Sequence, residues 1–351
     1  MDNHTQKVKI AVIGAGQVSQ HCHIRPLSEH PQCEIIALAD LRPDLCKIVS
    51  EKWQIPHIFQ SHKDLLELEN LDGVIIVTNR PATGPIVHDF LSRRIPVLTE
   101  KPMGHTVDQA KTLLNIALNT KTSLHVGYMK RWDVGLKKAL GLVKHCQSSQ
   151  EAGTLLMVQA WSHAGNDIRP VTGFEMTEEI RPIGLKTWPI APDWLDPQYI
   201  EDYASFVNIH VHGINLLHAF FDQIDISAAA SGPHRTYGIE LSGSGVPIQF
   251  SCANMSSGKW SEGLKFIFEK GTIIIHFPAP FSDGEYAHIY SDFTIPTPIT
   301  NVPEMDNWAF RNQAWDFIHQ RQLKSYTTSG AEQAVKDMVV IEKIWKLLTL
   351  K

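Results

Sequence analysis

The stretch KVKIAVIGAGQVS, residues 7–19, decides the fold of the first part of this chain. Its beginning, KVKIAVI, is apolar and β-branched over the length of one strand, and the residues after the glycines have helical patterning. A strand, a glycine turn and a helix in succession form the phosphate-binding unit of dinucleotide-binding folds, with the fingerprint G-x-G-x-x-G. Gly14 and Gly16 fill the first two glycine positions, and Ser19 stands at the third. We predict a dinucleotide-binding turn, and a plain strand-to-helix turn is the alternative.

Short apolar runs and helical segments alternate from this turn to about residue 128. The further runs are EIIALAD, HIF, GVIIVT, PVLTE and SLHVG. Strands that alternate with helices imply right-handed βαβ units and a parallel sheet. Residues 1–128 are therefore predicted to form a doubly wound Rossmann domain.

The second run ends at Asp40, where a carboxylate can accept hydrogen bonds from the ribose of NAD and repel the 2′-phosphate of NADP. Arg42 can meet such a phosphate, so NADP stays the alternative to the favoured NAD. For Asp40 itself, an ordinary strand-end or helix-capping carboxylate is the alternative. The predicted cofactor contacts are Gly14, Gly16, Gln17, Val18, Asp40, Arg42, Thr78, Asn79, Glu100 and Lys101.

Lys101 follows the fifth predicted strand in the segment LTEKP. Ligands of open parallel sheets bind beyond the carboxyl ends of the strands, so this lysine is predicted to face the crevice where a nicotinamide lies. Pro102 restricts the backbone and gives the lysine a rigid mount. A surface turn is the alternative for so short a motif.

Four segments in order resemble the glucose-fructose oxidoreductase, inositol dehydrogenase and MocA family of NAD(P)-dependent oxidoreductases. They are GAGQVS, LAD ending at Asp40, LTEKP, and HVGYMKRWD at 125–133, which is similar to the family's VGF-x-x-R-F segment. The resemblance implies hydride transfer between NAD and a secondary alcohol or ketone of a sugar, sugar derivative or cyclitol. Arg131 and Trp132 are substrate-binding candidates because they follow the sixth strand; a structural role is the alternative.

The run FVNIHVHGINLL, residues 206–217, places four polar side chains in an apolar segment. On a helix, with about 100° per residue, Asn208, His212 and Asn215 share one face and His210 points to the opposite side. Such a stripe is typical of a buried helix that forms one wall of a cleft. A core histidine with satisfied hydrogen bonds is the alternative for His212.

The resemblance extends to this helix, because the family carries D-x-x-x-H here. It implies that Asn208 stands at the acid position and that His212 and Lys101 complete the catalytic group and contact substrate. His212 would take the hydroxyl proton, and Lys101 would hydrogen-bond the reacting oxygen. Asn208 departs from the family pattern, since an amide adds no negative charge beside the imidazole.

Residues 129–351 are predicted to form a second domain for substrate binding and oligomerisation. Runs such as TYGIEL, VPIQFSCAN, LKFIFEK and GTIIIHF indicate an α/β domain on an open, mostly antiparallel sheet. The C-terminal helix is able to pack back on the first domain. The resemblance implies a homo-oligomer, either a dimer or a tetramer.

A segment rich in Pro, Trp and charge lies between residues 164 and 201. Loops of this length are often functional, so we predict a substrate-covering loop in which Trp188 or Trp194 stacks on a sugar. A cationic side chain, one of Arg169, Arg181 and Lys186, would meet an acidic group on that sugar. A solvated insertion packed through its tryptophans is the alternative.

Composition excludes several classes of function. With 37 acidic and 32 basic residues and no basic block, the chain is not expected to bind nucleic acid. No apolar run approaches about 18 residues, so no membrane span is expected. Five widely spaced cysteines without a CxxC pair fit reduced thiols in the cytoplasm.

A metal site is not expected, because His210 and His212 point about 160° apart on a helix. Two functions other than a dehydrogenase stay open. One is a ligand sensor that binds NAD without chemistry, which the residues Ser19 and Asn208 leave possible. The other is a glycosidase that oxidises its substrate transiently and retains NAD.

Overall fold

The computed structural model describes residues 6–149, 151–165, 172–180, 182, 185–293 and 305–350. The chain forms two compact units. The first comprises Met1–Gly127, Val171–Pro192 and Gln313–Val335, and the second comprises Tyr128–Pro170, Asp193–Asn312 and Lys336–Lys351. The sequence predicted a single boundary at residue 128. Under that division, Val171–Pro192 and Gln313–Val335 would belong to the second domain, whereas they belong to the first unit.

The first unit contains a six-stranded parallel sheet in the order β3-β2-β1-β4-β5-β6. Its strands are β1 (Val8–Ile13), β2 (Cys33–Ala39), β3 (His57–Phe59), β4 (Gly73–Ile76), β5 (Val97–Thr99) and β6 (Leu124–Val126). Each strand matches one of the six apolar runs. β4 and β5 are buried along their whole length, as expected for a parallel sheet covered on both faces.

Helices connect these strands. They are α1 (Arg25–Ser28), which continues a π-helical stretch at Ser19–Ile24, then α2 (Pro43–Trp53), α3 (His62–Leu65), α4 (Arg80–Ser92) and α5 (Val107–Thr120). Local sequence sets their ends: Thr106 caps α5 by accepting a hydrogen bond from the N–H of Gln109, and the Gln109 side chain accepts one from the N–H of His105. α2 ends at Gln54 in the left-handed conformation.

Helix α8 (Ala309–Gln322) adds side chains to the core of the first unit. Phe317 is 0% exposed and packs with residues of β1 and β4 in that core. A Cβ atom at Gly73 would lie 3.0 Å from Cζ of Phe317, so the glycine at the start of β4 makes room for the ring. A segment about 200 positions beyond the sixth strand therefore completes the first hydrophobic core.

The second unit contains a seven-stranded sheet in the order β13-β12-β11-β7-β10-β9-β8. Its strands are β7 (Leu155–Ala164), β8 (Ile224–Gly232), β9 (Thr236–Gly243), β10 (Val246–Asn254), β11 (Ser261–Phe268), β12 (Gly271–Phe277) and β13 (His288–Ser291). Only the β7–β10 pair is parallel among the pairs described. The alternating burial of β9 and β10 gives the sheet one packed face and one open face.

The helices of the second unit are α6 (Val134–Ser149) and α7 (Ile200–Phe220), together with the C-terminal half of α9 (Ser329–Thr349). α7 packs on β7 through its buried side. The predicted fold class, a Rossmann domain followed by an α/β domain on an open, mostly antiparallel sheet, is confirmed. None of the helices in the described part of the chain carries the long uncharged apolar stretch that a membrane span requires.

Replacing Phe317 with alanine should lower the free energy of unfolding by about 3–5 kcal/mol, because it leaves a cavity in the core of the first unit. The midpoint of denaturant unfolding, followed by tryptophan fluorescence, measures this. Leu323→Ala is the control, since Leu323 is 62% exposed and its loss should cost under about 0.5 kcal/mol. Equally small effects of both substitutions would contradict a core role for residues 313–335.

Candidate cofactor and substrate site

The turn after β1 is built around Gly14. Its φ is +99°, and a Cβ atom there would lie 2.0 Å from the carbonyl oxygen of Val77, so only glycine fits. The N–H of Gly14 donates to the carbonyl of Ala39 at the end of β2 (2.7 Å), and the N–H of Val77 donates to the carbonyl of Ile13 (2.9 Å). The turn therefore joins the carboxyl ends of three neighbouring strands.

Gly16 leaves open space at the start of the following helix. A Cβ atom on Gly16 would meet nothing within 4 Å, and the N–H of Gln20 bonds the Gly16 carbonyl at 2.9 Å, which starts the helical hydrogen bonding. Ser19, at the third glycine position, is 0% exposed, so the helix packs closely despite the extra side chain. The Ser19 hydroxyl has no hydrogen-bond partner among the described residues.

Asp40 and Arg42 form a two-point ion pair at the end of β2. Nε and one terminal nitrogen of Arg42 donate to the two oxygens of Asp40, each at 2.9 Å, and the N–H of Ala15 donates at 2.7 Å. Burial raises the pKa of the Asp40 carboxyl, but the hydrogen bonds from Arg42 and Ala15 outweigh it and hold the pKa below its ordinary value. The pair is therefore a fixed carboxylate and a fixed guanidinium.

These groups border a cleft of about 810 Å³ within the first unit. Eight of the ten predicted cofactor contacts line it, namely Gly14, Gly16, Gln17, Val18, Asp40, Arg42, Thr78 and Asn79. Glu100 and Lys101 are not among the lining residues. The volume, the open face of Gly16 and the carboxylate at Asp40 fit a dinucleotide, which needs close backbone approach and a ribose acceptor.

The segment at 172–192, which belongs to the first unit, supplies lining that the sequence did not reveal. Pro182, Leu185 and Thr187 border the cleft. Gln20, just after the glycine turn, exchanges two hydrogen bonds with the backbone of Glu175, at 2.8 and 3.0 Å. No local pattern predicts such a contact between residues 155 positions apart.

Trp188 packs on α4. Its backbone N–H donates to the carbonyl of Pro81 (2.8 Å). A Cβ atom on Gly84 would lie 2.2 Å from the Trp188 ring, so the ring covers that glycine. In the second unit, Trp194 donates to Glu342 (3.4 Å) and lies beneath the Lys346 amine. These contacts match the alternative of an insertion packed through its tryptophans, and the substrate role of Trp188 stays a prediction.

The structure describes one of the three cationic candidates of this loop. Lys186 is exposed, and Arg169 and Arg181 lie outside the described residues.

Lys101 follows β5, as predicted, and is joined to Pro102 by a cis peptide bond. The backbone N–H of Lys101 donates to Oε2 of Glu100 (3.1 Å), and Oε1 of Glu100 bonds Nε2 of His23 at 2.9 Å. Burial lowers the pKa of the Lys101 amine to about 8, while the charge of Glu100 opposes the shift and Arg80 adds to it. The amine is therefore close to its titration point at neutral pH and can hold or release a proton.

Helix α7 carries the other predicted catalytic residues, which belong to the second unit. His212 is 5% exposed and meets the ring of Tyr128 edge-on at 6.4 Å, and Asn208 is half-buried. His210 points elsewhere, with Nδ1 bonded to the Ser162 hydroxyl at 2.9 Å. The separation of His210 from the polar stripe agrees with the helical spacing.

A buried network that the sequence did not reveal continues this stripe. Asp337 on α9 is 0% exposed, accepts from Nδ2 of Asn215 (2.8 Å) and bonds Nδ1 of His218 (2.7 Å). Arg131 donates to the side chain and the carbonyl of Asn215, at 2.8 and 2.7 Å. Burial, together with the hydrogen bond to Asp337, raises the pKa of Tyr128 well above its ordinary value. Arg131 and Tyr128 are thus held beside α7.

Trp132, the second substrate candidate of this segment, lies under the Lys137 amine at 5.2 Å from its ring centroid. Its carbonyl accepts from Nδ2 of Asn312 at 3.1 Å. Within the described ranges, no three His, Cys, Asp or Glu side chains form a group that could hold a metal ion.

A family model matches the first part of the chain. The model named GFO_IDH_MocA, described as "Oxidoreductase family, NAD-binding Rossmann fold", matches residues 8–128. This range covers the parallel sheet from β1 to β6 and the glycine turn. The predicted nicotinamide cofactor is confirmed at the level of this description.

Curated relatives are similar over part of the chain. The rhizopine catabolism protein MocA of Rhizobium meliloti is 30% identical over 132 residues, 38% of this chain and 41% of the relative. The inositol 2-dehydrogenase of Rubrobacter xylanophilus is 26% identical over 178 residues, 48% of each chain. The chain thus spans less than half the length of these relatives.

Solved structures are similar over nearly the whole chain in fold alone. The myo-inositol 2-dehydrogenase of Lactobacillus plantarum has a TM-score of 0.70 at 14% identity and covers 98% of both chains. The 3-ketoreductase KijD10 of Actinomadura kijaniata, solved with TDP-benzene and NADP, has a TM-score of 0.70 at 14% identity and covers 97% of both. The scyllo-inositol dehydrogenase of Lactobacillus casei, solved with NAD(H) and scyllo-inositol, has a TM-score of 0.69 at 12% identity, with 98% and 97% coverage.

Alanine substitutions at the two turn glycines should separate folding from binding. Gly14→Ala should lower the free energy of unfolding by about 2 kcal/mol or more, because it adds strain at positive φ and a clash with Val77. Gly16→Ala should leave stability unchanged and weaken NAD binding, because its methyl group enters the open space where a pyrophosphate would approach. Thermal denaturation and calorimetric titration with NAD measure the two effects. Unchanged NAD affinity in a folded Gly16→Ala variant would contradict the cofactor assignment.

Proposed function

We propose that this chain belongs to the Gfo/Idh/MocA family of oxidoreductases, whose model matches residues 8–128, and that it is an NAD-dependent dehydrogenase or reductase acting on CH–OH groups. The substrate would be a secondary alcohol or ketone of a sugar, sugar derivative or cyclitol. The observation that carries the proposal is Lys101: its amine, with a pKa that desolvation lowers to about 8, directly follows a strand of the sheet that borders the dinucleotide cleft.

Three side chains carry the chemistry in this proposal. His212 takes the hydroxyl proton of the alcohol, and Lys101 donates a hydrogen bond to the reacting oxygen, whose alkoxide-like charge a cation stabilises. Asn208 orients one of these groups through its amide. A bound nicotinamide supplies the hydride acceptor for oxidation and the donor for reduction. The scheme requires Lys101 and His212 to converge, which is a prediction from the sequence.

The reacting oxygen loses a proton during oxidation and gains one during reduction. With Asn208 in place of an acid, no neighbouring carboxylate on that helix turn favours an imidazolium at His212. We expect a slower oxidation than an aspartate at this position would support.

Substrate recognition in the proposal falls to Arg131, Trp132 and Trp188, together with Lys101, Asn208 and His212. The fixed guanidinium of Arg131, held by Asn215, suits a substrate hydroxyl or acidic group near α7. The names of the curated relatives, which include inositol dehydrogenases, favour a cyclitol or a sugar derivative. We also propose a homo-oligomer, a dimer or tetramer, in the cytoplasm.

The direct test is turnover by the purified protein with NAD and a panel of cyclitols, polyols, aldoses, uronic acids and nucleotide sugars, followed at the NADH absorbance. At least one member of the panel should be oxidised. Lys101→Ala should abolish turnover and leave NAD binding within about threefold, because the amine acts on the reacting oxygen. Lys111→Ala, on the exposed side of α5, is the matched control and should retain full turnover.

Three outcomes would contradict the proposal. Turnover that survives in Lys101→Ala rules out the assigned chemistry. NAD binding by the wild type without turnover on any panel member favours the sensor, whereas bond cleavage without net NADH formation favours the glycosidase.

The pH dependence of turnover follows from the Lys101 amine. Because its pKa is lowered from about 10.5 to about 8, the cation that stabilises the alkoxide is lost as the pH rises above about 8. The kcat/KM for oxidation, which reports ionisation of the free enzyme, should therefore fall above that pH. Lys101→Arg retains a cation to much higher pH, so its remaining activity should show no such decline. A wild-type rate that is level up to pH 10 would contradict the role of this amine.

A further inference from the structure

Helix α2 starts beside the ribose acceptor Asp40, and a distant residue caps it. The side chain of Arg42, at the N-cap position, makes no capping hydrogen bond. Instead the carboxylate of Glu179 accepts from the N–H groups of Asp44 (3.0 Å) and Leu45 (2.8 Å). The Thr177 hydroxyl donates to the same carboxylate at 2.8 Å, which fixes its position.

Glu179 is charged at neutral pH. Desolvation raises the pKa of its carboxyl, but the hydrogen bonds from Asp44, Leu45 and Thr177 and the charge of Arg42 together outweigh this and lower the pKa. The charge of Glu179 in turn helps to raise the pKa of Arg42. The guanidinium therefore lies in the field of two carboxylates, Asp40 and Glu179.

A 2′-phosphate on the ribose bound by Asp40 needs two kinds of group at this position. It needs a cation, for which Arg42 is the candidate, and it is well served by the N–H groups of a helix N-terminus. In this chain Asp40 already bonds the guanidinium at two points, and Glu179 already bonds the N–H groups of Asp44 and Leu45. A phosphate would have to displace one carboxylate and would meet the charge of both.

We propose that Glu179 is a cofactor-specificity residue, which occupies the start of α2 as a built-in anion and, with Asp40, selects NAD against NADP. The inference rests on the proposed function for its cofactor class and deepens it. A 2′-hydroxyl is uncharged and smaller than a phosphate, so NAD leaves the Glu179 bonds in place. A merely structural role, as a helix cap, would affect stability and leave the ratio of the two affinities unchanged.

The test compares the dissociation constants of NAD and NADP by calorimetric titration of the full-length protein. Glu179→Gln keeps the size and one acceptor but removes the charge, so NADP should bind on the order of tenfold more tightly, with NAD changed less than about twofold. Glu179→Ala, which also frees the two N–H groups, should shift the ratio further. Glu178→Gln is the matched control. Glu178 is the exposed neighbour of Glu179, and its substitution removes the same charge from the chain.

Thermal denaturation of each variant accompanies the titrations, since loss of the cap should lower the melting temperature and leave the protein folded. Variants of Glu179 that bind NAD normally with an unchanged NADP to NAD ratio would overturn the inference while the proposed function stands. An equal shift in Glu178→Gln would also overturn it, because general charge would then explain the effect. Failure of every protein, wild type included, to bind either dinucleotide would end both proposals.

Discussion

The cleft of the first unit depends on one close backbone approach, between Gly14 and the carbonyl of Val77. At this positive φ and this separation a side chain is impossible, so a single missing Cβ atom lets the turn after β1 pass over the end of β4. The bond from the Gly14 N–H to Ala39 adds the end of β2 to the same place. As a result, residues that follow three different strands, including Asp40 and Thr78, border one cleft.

Paired charges organise the ribose end of this cleft. Asp40 and Arg42 hold each other in a fixed geometry, and the start of α2 is closed by a carboxylate from the 172–192 segment. Fixed charges of this kind cost little reorganisation when a ligand binds. In the proposed function, carboxylates at these positions disfavour a ligand that brings a further negative charge there, so the atoms that stabilise the cleft also select between dinucleotides.

In the second unit, α7 shows how a buried helix tolerates polar residues. Asn215 and His218 are satisfied by Arg131 and Asp337, while His210 bonds Ser162 on the opposite face. Buried polar groups are costly unless they are hydrogen-bonded, and these hydrogen bonds offset the cost of burying Asn215, His218 and His210. The buried carboxylate of this network is Asp337 on α9, whereas position 208 on α7 carries an amide.

The sequence by itself determined the order of elements, because periodicity, glycine turns and strand-ending polar residues are local signals. All six parallel strands, the glycine turn and the carboxylate at the end of β2 could be predicted this way, as could the opposed faces of α7. Tertiary structure alone decided which distant residues complete each site. Phe317 in the first core, Glu179 at α2 and Asp337 beside α7 come from remote segments whose local patterns carry no sign of their partners. Such contacts depend on chain packing, and no window of sequence contains both sides of them.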